Sequence, residues 1–198
     1  MRKIVALGDS TTAGTPNFLS PLESPPHGSG DETSQFAYWL MREHPEWTVL
    51  NRGINGQRSD EIGARFERDV TAEHPEVVIV LAGVNDIYQG YPLSHIQEQL
   101  GRMYRRAAQL GIAVVACSVL PYNTAAQEQN EELRLLNAWL AEQPGVTFCD
   151  THRAVEHTRE ADHLRESPEG LHPSPLGYHR MAVALKPILA GLLASPAR

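Results

Sequence analysis

The chain has 198 residues, 41% hydrophobic and 21% charged, with a formal net charge of −7. This is the make-up of a soluble globular protein, sized for one domain taken as 1–198. The acidic balance excludes a general phosphate-backbone binder, so nucleic acid is not an expected partner, and no stretch approaches the roughly 20 apolar residues of a membrane span.

Taken along the chain, the first predicted element is a buried strand over Lys3–Leu7, broken by Gly8. The opening Met1-Arg2-Lys3 enters it at once and has no leader-like apolar run, so a cytoplasmic protein is expected. The next stretch, Thr15–Thr33, is rich in Pro, Gly and Ser, as lids and binding loops often are, and its Phe18, Leu19 and Leu22 are candidates for an apolar lid. Phe36, Leu40 and Met41 share a helical face, and a strand follows over Thr48–Asn51. Ile62, Phe66 and Val70 predict a further helix with Ser59 as its N-cap.

Val77–Ala82 and Ile112–Ser118 are continuous apolar runs, the pattern of strands covered on both faces by helices. Between them Ile96, Leu100, Met103, Tyr104 and Ala107 mark a helix capped by Ser94 and closed by Gly111. Arg102, Arg105 and Arg106 read as its solvated face. Leu133, Leu136, Trp139 and Leu140 mark another helix, followed by a strand over Val146–Cys149. After the polar stretch Asp150–Pro175, a last helix runs from about Leu176 to Leu193, with Pro187 kinking or splitting it. Cys117 and Cys149 lie in or beside apolar runs and read as reduced core thiols. The alternation predicts a three-layer α/β/α sandwich on a parallel sheet of about five strands.

Polar clusters gather at the carboxyl ends of these strands, where such sheets build their sites. Ser10 follows the first. Asn51-Arg52-Gly53-Ile54-Asn55-Gly56 follows the second, and a glycine there can present its N–H to a ligand. Gly83-Val84-Asn85-Asp86 follows the third, with a side-chain amide on Asn85. Glu169-Gly170-Leu171-His172-Pro173 lies beyond the fifth. A serine hydroxyl needs a base to become a nucleophile, and acyl transfer needs donors for the developing oxyanion. The clusters supply each part.

In this order and spacing the blocks at 8–10, 51–56, 83–86 and 169–173 resemble the SGNH (GDSL-type) hydrolase and esterase family over nearly the whole chain. The resemblance implies a flavodoxin-like sandwich. It implies Ser10 as nucleophile, His172 as general base and then acid, and an oxyanion hole of the Ser10 N–H, the Gly56 N–H and the Asn85 amide. It implies no metal and no cofactor. The family has Asp-x-x-His where this chain has Glu169, so Glu169 is the candidate to orient His172 and Asp162 is the reserve. Asp9, Asn55 and Asp86 are expected to be structural.

The expected activity is hydrolysis of small-molecule carboxylic esters with short acyl groups, as by a carbohydrate acetylesterase. An acyl thioesterase or a lysophospholipase-type lipase is the alternative within the family. A binding protein on the same fold, its triad weakened by Glu169, is the alternative of another class. A metal-dependent hydrolase would draw on His152, His157 and His163 with Asp150 and Asp162, but their spacing is not that of a compact ligand set. Tyr88, Tyr91 and Tyr122 either line the pocket or pack the core.

Overall fold

Successive side chains of a strand point to opposite faces, so an all-apolar strand has to be covered on both. Val77–Leu81 is buried along its whole length, and its alternate residues serve two separate cores. Ile4, Ala6, Val77 and Ile79 pack with Phe36, Leu40, Tyr178, Met181 and Leu185. Val5, Leu7, Val78 and Val80 pack with Ile62, Leu100, Met103, Leu133 and Leu136.

These contacts belong to a computed structural model that describes residues 1–194. Its elements run β1 (Arg2–Gly8), α1 (Ser10–Ala13), β2 (Phe18–Leu19), β3 (Ser29–Gly30), α2 (Phe36–Glu43), β4 (Trp47–Gly53), α3 (Ser59–Ala64), α4 (Phe66–Asp69), β5 (Val77–Leu81), α5 (Val84–Tyr88), α6 (Leu93–Gln109), β6 (Ala113–Cys117), α7 (Gln127–Ala141), β7 (Thr147–Cys149), α8 (Thr151–Val155) and α9 (Pro175–Ala194). The main sheet has the order β4-β1-β5-β6-β7, and all its pairings are parallel. Helices α2 and α9 cover one face and α3, α6 and α7 the other. This is the expected three-layer, flavodoxin-like sandwich. Strand order reverses between β1 and β5, which opens a crevice beyond their carboxyl ends. No helix among the described residues is long and apolar enough to cross a membrane.

Several local expectations are corrected. The helix expected through Ile62, Phe66 and Val70 is two helices parted at Arg65, although all three apolar residues are buried. Ser59 does not cap α3; it is the first helical residue, and its hydroxyl donates to Asp86 Oδ1 at 2.6 Å. Ser94 lies inside α6, which starts after Pro92. Pro187 does not split α9. It sits on the solvent side, and the carbonyl that loses its N–H belongs to Val183, 48% exposed, where water can replace the missing donor. Gly111, with φ 71°, does close α6, donating its N–H to Ala108 O.

The stretch Thr15–Thr33 carries the β2–β3 hairpin and is fastened beside the sheet. Ser20 Oγ donates to Gly53 O at 2.6 Å, and Glu23 accepts the Asn55 N–H at 3.0 Å. Phe18 is buried beneath it, whereas Leu19 is 43% exposed.

Candidate active site

At the end of β1 the chain turns at once into α1, and Gly8 permits it. A Cβ there would lie 2.2 Å from Thr12 Oγ1 and 2.4 Å from Leu81 O. Asp9 caps α1 by accepting the Thr11 N–H at 2.9 Å, which leaves Ser10 as the first helical residue. Ser10 Oγ lies 2.8 Å from His172 Nε2, and His172 Nδ1 lies 2.8 Å from Glu169 Oε1. A carboxylate oxygen can only accept, so Nδ1 carries the ring proton and Nε2 is free to accept from the serine hydroxyl. Ser10 and His172 are each 8% exposed. They are shielded from bulk water, which strengthens the link between them, whereas the Glu169 side chain is 37% exposed.

The longer side chain of Glu169 is accommodated by folding back over its own loop. Its Oε1 also accepts the His172 N–H at 2.8 Å, and Oε2 accepts the Leu171 N–H at 3.0 Å. The turn is held by Ser167, whose Oγ donates to His172 O at 2.6 Å and accepts the Gly170 N–H at 2.8 Å. Asn123 N–H donates to Gly170 O at 2.7 Å and ties the turn to the segment after β6.

Ser10, Asn85 and His172 line one cleft, together with Asp9, Thr11, Leu81, Val84, Val119, Leu120, Pro121 and Leu171. It encloses about 390 Å³ including the part open to solvent. Asn85 follows the switch-point strand β5, and its Nδ2 donates one hydrogen to Gln57 O at 2.9 Å, leaving the other available. Gly56 is not in the lining. It occupies the preceding residue, in an Ile54–Gln57 turn closed by Gln57 N–H to Ile54 O, with the φ of 73° that favours glycine.

Asp9 contributes no bond to the Ser10–His172–Glu169 chain, yet it is fully enclosed. Burial pushes its carboxyl from 3.8 up to about 7; the nearby Asp86 adds to the rise, while the Thr11 N–H and Arg65 oppose it. The folded protein therefore keeps a proton that the unfolded chain releases, and stability falls as pH rises from about 3.8 to about 7. Asp9→Asn keeps an acceptor for Thr11 and removes the ionisation. Its Tm is expected to exceed that of the wild type by several degrees at pH 8, with the gap closing towards pH 4. Thermal unfolding across pH checks this, and a gap that is constant with pH contradicts it.

Other candidates lie elsewhere. Asp162, the reserve carboxylate, pairs with Arg134, its Oδ2 2.6 Å from Nη2, and does not reach His172. Of the residues weighed for a metal, His152 and Asp162 bring ligand atoms near one another, joined by Glu156. His157 Nδ1 instead accepts loop N–H groups, and Asp150 caps α8. Tyr122 is buried packing with the exposed Tyr88 edge-on against it, and Tyr91 sits beneath the Arg58 guanidinium; none lines the cleft. Asp86 ties α3 to α5 through both Ser59 donors. Cys117 and Cys149 are buried free thiols on neighbouring strands.

The wall residues Val119, Leu120 and Pro121 were not singled out from sequence. The rule that sites lie beyond strand ends applies to them directly, since they follow the apolar run that forms β6. Arg65 was also missed. It stands among the closely spaced apolar residues Ile62, Phe66 and Val70, but so does Arg68, and the sequence does not say which of the two turns inward.

The model of the GDSL-like lipase/acylhydrolase family matches residues 6–180. The chain is 27% identical over 202 residues to an acetylxylan esterase of Geobacillus stearothermophilus, covering 90% of this chain and 85% of that protein. It is 24% identical over 178 residues to an arylesterase of Vibrio mimicus, covering 87% and 80%. The crystal structure of the lipase/acylhydrolase from Enterococcus faecalis superposes with a TM-score of 0.77 over 96% of each chain at 21% identity, a likeness of fold.

Proposed function

The chain belongs to the GDSL-like lipase/acylhydrolase family and is a hydrolase of ester bonds; from that premise we propose that it is a serine esterase for short acyl groups, of the kind borne by acetylated carbohydrates. The observation that carries the reading is the chain of 2.8 Å links from Ser10 Oγ through His172 to Glu169. Ser10 Oγ attacks the ester carbonyl as His172 Nε2 takes its proton, and Glu169 stabilises the imidazolium that forms. The Ser10 N–H, the Gly56 N–H and the free hydrogen of Asn85 Nδ2 hold the oxyanion. Collapse of the tetrahedral intermediate expels the alcohol, protonated by His172, and leaves Ser10 acylated. Water, deprotonated by the same histidine, then releases the acid and restores the serine.

The choice of acyl group rests on the cleft. Val84, Val119, Leu120 and Pro121 form a short apolar wall near Ser10, suited to a methyl group and too confined for a long chain. The similarity to an acetylxylan esterase supports an acetylated carbohydrate on the alcohol side. On p-nitrophenyl esters, kcat/KM is expected to be at least about tenfold higher for acetate than for octanoate, since a few methylenes without a pocket lose that much. A preference for octanoate overturns the short-acyl reading and favours a lysophospholipase-type substrate. Release of acetate from acetylated xylo-oligosaccharides tests the carbohydrate half directly.

A further inference from the structure

The break between α3 and α4 has a specific cause. Arg65 leaves the helix with φ −102° and ψ 8° and turns its side chain inward, where it is 6% exposed. A guanidinium removed from water has to satisfy its N–H donors inside the protein. Arg65 Nη2 donates to Gly8 O at 2.7 Å, two residues before Ser10. Nη1 donates to Arg52 O at 2.8 Å and to Asp69 Oδ2 at 2.8 Å, and Nε donates to Gln57 Oε1 at 2.7 Å. Asp69, which Arg65 shares with Arg68, supplies the counter-charge, and the other three bonds go to neutral acceptors that they clamp together.

The three other acceptors lie at the foot of the site. Gly8 ends the strand that delivers Ser10, and Arg52 lies in the strand that leads to the Gly56 turn. Gln57 closes that turn with its N–H and accepts the Asn85 amide on its carbonyl. Gln57 is therefore bonded to the Asn85 amide and directly follows Gly56 in the turn it closes, and its side chain is fastened by Arg65. We infer that Arg65, acting through Gln57, is a positioning residue that sets the Gly56 N–H and the Asn85 amide relative to Ser10. Nothing in the catalytic steps requires Arg65 to touch substrate. Its effect is on the distance and direction of donors that matter only once the oxyanion exists.

The inference rests on the serine-esterase reading, and the experiment separates the two. Ser10→Ala, Gln57→Ala, Gln57→Glu and Arg65→Lys are compared with the wild type on p-nitrophenyl acetate, with Tm and the affinity for a charged tetrahedral phosphonate analogue measured alongside. Gln57→Ala cuts only the Nε link. It is expected to lower kcat about tenfold with KM within twofold, a donor displaced rather than deleted, and to weaken phosphonate binding by about the same factor. Tm should fall by a few degrees at most, because Arg65 keeps its bonds to Gly8, Arg52 and Asp69 and only the Nε donor loses its partner. Gln57→Glu restores an acceptor for Nε and should recover most of the loss, and Arg65→Lys, which cannot hold all four partners, should fall below Gln57→Ala. Full activity in Gln57→Ala, or a loss that follows Tm and leaves phosphonate affinity intact, overturns the positioning role. If Arg65→Lys does not fold, the Gln57 pair decides alone. Activity surviving in Ser10→Ala would instead overturn the serine-esterase reading itself.

Discussion

Ser10→Ala is expected to lower kcat on p-nitrophenyl acetate by on the order of 10⁵-fold or more, the scale on which serine hydrolases lose turnover when the nucleophile is removed. The fold should not notice. Ser10 Oγ makes its only side-chain hydrogen bond among the described residues to His172, and alanine suits the first turn of a helix. Tm within about two degrees of the wild type is therefore part of the expectation. His172→Ala should fall nearly as far, and the double variant no further, because both residues serve one proton transfer. Stopped-flow assays with the aryl ester measure these rates, and comparable turnover by Ser10→Ala would remove the covalent mechanism.

The second large effect concerns the carboxylate that departs from the family's Asp-x-x-His pattern. Glu169→Gln is expected to lower kcat by about 10³–10⁴-fold with KM nearly unchanged. An amide NH₂ turned towards Nδ1 repels the ring proton and favours the opposite tautomer, which places a hydrogen where Ser10 has to donate. An amide oxygen turned there holds the tautomer but cannot balance the imidazolium. Glu169→Asp is milder in chemistry and harsher in reach. The glutamate carboxylate meets Nδ1 and two loop N–H groups at once, between 2.8 and 3.0 Å. Shortened by one methylene it cannot keep all three, and a loss of about 10–100-fold follows. If Glu169→Gln turns over like the wild type, His172 is oriented without it. If the wild type itself hydrolyses no ester and binds acetylated sugar without turnover, the binding-protein alternative takes its place.

The contrast between Glu169 and Asp162 shows where sequence reasoning stops. Both are acidic, lie close to His172 in the chain and fall in the same polar stretch. Residue type and spacing leave them as first choice and reserve. In the fold Glu169 closes its own turn on His172, while Asp162 is drawn to Arg134 on α7. The serine caps fail for a similar reason. A serine before a helical pattern caps well in isolation, but the buried Asp86 carboxylate claims both Ser59 donors and moves the residue inside the helix.

The five core strands, most of the helices between them and a serine beyond the first strand were legible without coordinates. Each is written in a local pattern: apolar continuity for a strand covered on both faces, a 3.6-residue period for a helix, and glycine where the chain must turn. The cleft wall, the bonds of Arg65 and which carboxylate reaches His172 needed the tertiary structure. They depend on which polar groups the strand ends leave unpaired once packed, and their partners are remote. His172 and Ser10 are 162 residues apart, Arg65 and Gly8 57, and Asp86 and Ser59 27. Periodicity reports burial over a few turns of chain, whereas a hydrogen bond across the sheet edge is decided by geometry at the ångström scale between segments whose order in sequence says little about their distance in space.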